Sequence, residues 1–335
     1  MRARRIAFLA VLAVCKAATV FADERPHLSL PLACEPHKTC FIQSYVDHED
    51  GPEFRDYSCG TATYDGHKGT DFRLLSTAVA ANGVAVLASA DGVVQGMRDE
   101  MDDHLLADNA HAEVAGRECG NGALIDIGGG WTTQYCHMKK GSLAVKVGDK
   151  VSRGQRLGDV GYSGLVEFAH VHLQVAKDGK IIDPFTGEPQ QAACSVSPDK
   201  VSGLWMPDAA AAFAKANSEI FETLFAAQLP TWQQLEIDDA VSPPNGNSAE
   251  LYFVARISNI RKDDVVRVTL NGPGGFKYTS ASPALPRNRG GHLAFGVAKT
   301  KTGTPLPEGT YSGTAELVRS GSVIDTKSST IELRR

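Results

Sequence analysis

Nowhere in the 335 residues does an apolar run reach the ~20 positions a helix needs to cross about 30 Å of hydrocarbon, so no membrane-spanning segment is expected. No Cys-x-x-Cys pair occurs, which argues against a cysteine zinc site. Positive charge is not in excess either: 34 Lys and Arg stand against 39 Asp and Glu, a formal net charge of −5. An acidic chain lacks the field that draws phosphate backbones or anionic lipid, so neither nucleic acid nor a membrane surface is an expected partner.

What is present begins with a basic start, Arg2, Arg4 and Arg5, followed by the apolar run Ile6 to Val14 and by Val20-Phe21-Ala22 ahead of Asp23. This is the layout of a secretory signal peptide over residues 1–22, cut after Ala22, and it places the protein in the periplasm or outside the cell. A lipid-anchoring cleavage before Cys15 is the alternative, although Val14 is bulky for that processing. Loss of residues 1–22 removes four basic and no acidic groups, leaving 30 against 39 and a charge of −9. Six cysteines then remain: Cys34, Cys40, Cys59, Cys119, Cys136 and Cys194. An even count in an exported chain favours disulfides. Cys34 and Cys40 are the natural first pair because they enclose only five residues; the other four allow three pairings.

The remaining length suits about two domains. Residues 23–62 are rich in turn-formers and cysteine without clear periodicity. From about 63 to 190, short β runs alternate with glycine: Val84–Ala88, Gly92–Gln95, Leu124–Ile127 and Trp131–His137, with a further hairpin signal around Gly148-Asp149. The acidic stretch Met97–Gly120 interrupts this pattern and has room for a short helix near Asp99–Asp108. Within a linker over 191–235, Asp208 as N-cap and Pro230 as stop predict a connecting helix through Leu229, with Phe213, Ile220, Leu224 and Ala227 on one face. Residues 236–335 return to strands at Glu250–Ile257, Val265–Leu270, Leu293–Ala298, Tyr311–Val318 and Val323–Leu333, the pattern of a small Ig-like β-sandwich whose partner is unknown. The fold class is therefore mainly β, an antiparallel sheet domain followed by a connecting helix and a C-terminal sandwich.

Three short motifs carry chemistry. In Phe168-Ala-His-Val-His-Leu-Gln-Val, alternation puts Ala169, Val171, Leu173 and Val175 on one strand face and His170, His172 and Gln174 on the other. Taken alone, that is as compatible with a polar sheet face as with a site. Gly66-His67-Lys68-Gly69-Thr70-Asp71 is, alone, as compatible with a surface turn. Gln134-Tyr135-Cys136-His137 adds a histidine at a strand end. Their conjunction is more specific. Two histidines and an acid can supply three N/N/O ligands to zinc, leaving a fourth position for water and two further histidines for proton transfer.

In this order the motifs resemble those of the lysostaphin-like (LytM-type) zinc metallopeptidases, which are peptidoglycan endopeptidases: His67-x-Gly69-x-Asp71, Tyr135-x-His137 and His170-x-His172. Val145-Lys-Val-Gly-Asp-Lys-Val-Ser-Arg-Gly-Gln-Arg-Leu-Gly and Ala88-Ser-Ala-Asp-Gly-Val-Val look like that family's connecting hairpins. The resemblance covers about residues 60–186. It implies a compact antiparallel β domain over 63–190 in which His67, Asp71 and His172 hold Zn2+ and His137 and His170 act as the non-ligand catalytic pair. It implies zinc-dependent hydrolysis of peptidoglycan cross-links, with a directly cross-linked wall the expected substrate. Other roles that such a chain could fill are a non-catalytic scaffold that activates a cell-wall amidase, and a general exported metalloprotease. The chain departs from the family at Gly161–Ala169, where a Ser-Thr-Gly-Pro-like approach is common, at Leu173-Gln174 in place of Phe-Glu, and in the Met97–Gly120 insertion.

Overall fold

The structure, a computed structural model, describes residues 25–105, 110–194, 203–212, 218–237, 241–300 and 303–334; the expected signal peptide lies outside the described residues. It is mainly β and antiparallel. The first half is organised by β1 (Phe41–Ser44), β2 (Thr70–Arg73), β4 (Gly92–Arg98), β5 (Asn121–Gly128), β6 (Trp131–Met138), β7 (Lys150–Val151) and β9 (His170–Lys177). These hydrogen-bond in the order β1-β2-β9-β6-β5-β4-β7, and β10 (Lys180–Ile182) adds to β9. A short helix α1 (Thr77–Ala81) and a separate pair, β3 (Ala85–Leu87) with β8 (Arg156–Asp159), complete this half.

Strand β9 obeys its alternation. Val171, Leu173 and Val175 are fully buried against a core that includes Phe72, Tyr135, Ile125 and Trp205, which leaves His170, His172 and Gln174 for the opposite face. The N-terminal cysteine segment, which shows no periodicity, nevertheless builds the edge strand β1, and Leu28, Leu32 and Cys40 enter the same core. The three disulfides are Cys34–Cys40, as expected, Cys59–Cys194 and Cys119–Cys136.

Three local expectations are corrected. Residues 145–147 form no strand: Val145 is buried, but β7 pairs with β4 rather than closing a hairpin on itself. Asp99–Leu105 is not helical; the described helical turn of the insertion is a 3₁₀ segment at Ala110–Val114. Of the expected connecting helix, the described residues form α2 (Pro207–Ala212) while Phe213 lies outside them, and Glu219–Ala226 is strand β11, paired with β12 (Glu250–Ile260). Ile220, Phe221, Thr223 and Phe225 are β-branched or aromatic, and cross-strand pairing overrides the helical spacing of the apolar residues. The helix α3 (Trp232–Ile237) follows, with Leu235 and Glu236 buried.

The C-terminal half is a two-layer sandwich. β11, β12 and β15 (Arg289–Lys299) form one sheet; β14 (Phe276–Ala281), β13 (Val265–Gly272), β16 (Gly309–Arg319) and β17 (Ser322–Leu333) form the other. Phe253, Ala255 and Ile257 from the first sheet meet Val268, Leu270, Ala315 and Leu317 from the second in a core separate from that of the first half.

Candidate metal centre

The five chemically notable residues converge on one face of the large sheet. Pairing of β2 with β9 sets Asp71 opposite His172, and pairing of β6 with β9 sets Cys136 opposite His172, which brings His137 beside the cluster. His67 arrives from the loop before β2. Its Nε2 lies 3.1 Å from Asp71 Oδ1 and 3.1 Å from His172 Nδ1, and His172 Nδ1 is 2.9 Å from Asp71 Oδ1. His170 Nε2 stands 3.6 Å from the same carboxylate oxygen, and the His137 ring centroid is 4.6 Å from that of His170.

Glycine at position 69 is required by close approach. A Cβ there would meet Leu173 O at 2.5 Å and His172 Nε2 at 2.6 Å, so the imidazole of His172 packs on bare backbone.

Backbone carbonyls fix the orientation of three imidazoles. His67 Nδ1–H donates to Tyr45 O (2.6 Å), His137 Nδ1–H to Ser163 O (2.9 Å) and His170 Nδ1–H to Phe168 O (2.8 Å). A carbonyl only accepts, so each neutral ring carries its proton on Nδ1 and turns the Nε2 lone pair to the cluster. His137 takes a left-handed backbone (φ 64) held by its N–H donating to Cys119 O (2.8 Å), and Cys119 is tied to Cys136 by a disulfide. Ser163 Oγ donates to Met138 O and accepts from Asn121 N–H, which locks the carbonyl that orients His137.

Electrostatics follow from one buried carboxylate among three buried rings and a fourth, His172, that is partly exposed. Burial would raise the Asp71 carboxyl, but His67, His170 and His172 hold it well below the usual carboxylate range. Burial pulls His67 down and the attraction of Asp71 more than offsets it, so His67 lies above its ordinary value. His137 falls well below, through burial and the neighbouring His170 and His172; His170 and His172 are also lowered, chiefly by burial.

The donor set fits a metal ion. Three donor atoms 2.9–3.1 Å apart approach the ~3.3 Å edge of a tetrahedron with ~2.0 Å zinc–ligand bonds. The Nε2 lone pair of His67 faces both a carboxylate oxygen and a second imidazole nitrogen, an arrangement that a shared cation relieves. Among the described residues, the one group of three or more His, Cys, Asp or Glu poised for a cation is His67, Asp71 and His172.

Sequence reasoning missed several neighbours. The Tyr64 ring stacks on His67 at 4.4 Å while its side remains half exposed, and nothing in the local pattern marks it. Ser163 and Phe168 lie in the segment Gly161–Ala169 that departs from the family pattern, which is the signal that could have found them. His104 of the insertion is exposed and takes no part.

Comparison with known proteins gives three findings. The model of peptidase family M23 matches residues 65–184. Over 117 residues the chain is 34% identical to the peptidoglycan DD-endopeptidase ShyA of Vibrio cholerae, a match covering 35% of this chain and 22% of that protein. The chain thus spans about a fifth of the length of this curated relative. Among solved structures, a zinc-containing peptidase from Vibrio cholerae shares 21% identity at a TM-score of 0.31, covering 50% of this chain and 39% of its own. The catalytic domain of lysostaphin from Staphylococcus simulans shares 22% at a TM-score of 0.27, covering 42% and 85%.

Proposed function

Residues 65–184 of this chain are a domain of peptidase family M23, and on that premise we propose that the protein is an exported, zinc-dependent endopeptidase that hydrolyses peptide bonds in bacterial peptidoglycan. The observation that carries the reading is the donor triangle His67 Nε2, Asp71 Oδ1 and His172 Nδ1, flanked by two further imidazoles with inward lone pairs. The similarity to a peptidoglycan DD-endopeptidase supports the substrate class. Three disulfides support an oxidising compartment, the periplasm or the exterior. No helix among the described residues is long and apolar enough to cross a membrane.

In this reading His67, Asp71 and His172 hold the zinc. When bound, the metal supplies Lewis acidity and lowers the pKa of a coordinated water from about 15.7 toward ~7. His137 and His170 do the proton chemistry. Burial keeps both neutral at rest, and Nδ1–H is committed to Ser163 O or Phe168 O, so Nε2 is free to accept a proton from the attacking water. Once protonated, the same Nε2–H is a donor to the oxygen of the tetrahedral carbon or to the leaving amine.

The test joins metal analysis to mass spectrometry of digested muropeptides. The wild-type chain should carry one zinc and release cross-link fragments. His172→Ala should lose metal and cleavage together, whereas His137→Ala should keep the metal and lose turnover. Full turnover in His137→Ala, or cleavage that survives chelation, would overturn the assignment.

A further inference from the structure

Two residues beyond Asp71, on the same strand, Arg73 is buried to 1% exposure although it carries a full charge. Four hydrogen bonds engage its donors in two directions. Nε donates to Leu74 O and Nη1 to Gln43 Oε1, within the peptidase half. Nη2 donates to both carboxylate oxygens of Glu236 at 2.8 Å, in the helix α3 that leads into the sandwich. Glu236 in turn accepts from Arg256 Nη2 on β12 at 2.7 Å, and Arg256 also pairs with Glu222 on β11. The guanidinium of Arg73 lies over three rings: Phe221 of β11 at 4.5 Å, Phe168 at 4.8 Å and Trp232 of α3 at 5.9 Å.

Arg73 stands opposite His170 in the β2–β9 ladder, and Phe168 joins this network to the His170 ring. Its ring centroid is 4.4 Å from that of His170, and its carbonyl accepts the His170 Nδ1–H. Phe168 belongs to a loop rather than to a strand and is only half buried. We propose that Phe168 is a positioning residue for His170, and that the C-terminal half holds it through Glu236 and Arg73. The inference rests on the peptidase reading. Without the ring clamped by Arg73, His170 loses its packing surface and the loop carbonyl that sets its tautomer is free to shift. A shift of about 1 Å in such a group is enough to lower turnover about 100-fold. The sandwich thereby contributes to the rate of the reaction, beyond any part in binding.

The experiment uses the full chain with Phe168→Leu, which removes the ring, Phe168→Tyr, which keeps it, and Glu236→Gln, which removes the charge at near-constant shape. Phe168→Leu should lower kcat about 10- to 100-fold with KM and zinc content nearly unchanged, and Phe168→Tyr should restore most of it. Glu236→Gln should lower kcat in the same direction, and the double variant Phe168→Leu/Glu236→Gln should be no worse than Phe168→Leu, because both act through one ring. A second readout needs no turnover: long-range ¹H–¹⁵N spectra of the metal-free chain should show His170 as a single Nδ1–H tautomer, mixed in Phe168→Leu. Unchanged kcat and tautomer in Phe168→Leu would overturn the positioning role. Full additivity of Glu236→Gln would overturn the link to the sandwich. If Glu236→Gln fails to fold, Phe221→Leu takes its place. A wild-type chain without turnover would refute the peptidase reading, while the spectra still decide the positioning.

Discussion

Replacing Gly69 by alanine tests whether the site is built as tightly as the structure implies. A Cβ at 69 would stand 2.5 Å from Leu173 O and 2.6 Å from His172 Nε2, well inside the 3.0 Å that side chains respect, so at least about 0.5 Å of movement is forced. Strand β9 is poorly able to give. It pairs with β2 on one side and β6 on the other, and Val171, Leu173 and Val175 are fully buried beneath it. The displacement therefore falls on the His172 ring or on the backbone between His67 and Asp71, and either moves a proposed ligand. Overpacking of this kind destabilises by about 1–3 kcal/mol. Disturbed support of a ligand weakens metal binding about 10- to 100-fold. Chelator competition measures the affinity, and melting in the absence of metal measures the stability. Gly66→Ala is the control: it also alters a motif glycine, with φ +71, but its Cβ meets nothing within 4 Å. It should lose about 1 kcal/mol through left-handed strain with zinc affinity intact. Equal effects of the two variants on zinc affinity, or wild-type affinity in Gly69→Ala, would refute the argument.

Other perturbations separate the supports of the fold. Serine at Cys119 and Cys136 frees the carbonyl that accepts the His137 N–H, so kcat should fall about tenfold or more with zinc content retained, read by steady-state kinetics beside metal analysis. The Cys59–Cys194 bridge spans a separation of 135 residues. Its removal by paired serines should cost about 4–5 kcal/mol by loop-closure entropy, seen as a lower urea midpoint. His48 is nearly buried between Asp183 Oδ2 (2.7 Å) and Ala192 O (2.8 Å), so both ring nitrogens donate. Burial lowers it, but the hydrogen bond and charge of Asp183 more than offset this, and the ring lies above its ordinary value of 6.5. That stabilisation is complete below about 6.5 and drains as pH rises through the raised value, so the urea midpoint should decline on that side and Asp183→Asn should flatten the decline.

Much of this was legible in the sequence, for physical reasons that differ by element. β9 was readable because each residue of the alternation reports its own face: the buried aliphatics and the inward imidazoles are consecutive in the chain. The five site residues were readable because three motifs, each ambiguous alone, occur together in the order of the family they resemble, and the structure brings all five together. The helix expected from Asp208 does start there, but Glu219–Ala226 is a strand, because Ile220-Phe-Glu-Thr-Leu-Phe satisfies a helical face and a strand equally well. Only β12, some thirty residues later, decides between them. Two of the disulfides were unreadable in the same way, since four cysteines with no local geometry admit every pairing.

The deeper limit is charge. A lone arginine on a β-strand is ordinarily a solvated side chain, and nothing in Thr70-Asp71-Phe72-Arg73 distinguishes the second charge from the first. Asp71 is buried because imidazoles surround it, and Arg73 is buried because Glu236, from a helix 163 residues later, reaches it with both oxygens. Removing one member of such a pair leaves the other uncompensated, at about 3–5 kcal/mol, so neither half of the chain is indifferent to the other. The motif histidines name the chemistry, but what holds them comes from elsewhere: Tyr45, Cys119, Ser163 and Phe168 each lend a carbonyl to an imidazole or its backbone. A peptidase excised at its motif boundaries would keep every proposed ligand and lose Tyr45 and Glu236, the support of one ligand and the anchor of the residue beside His170.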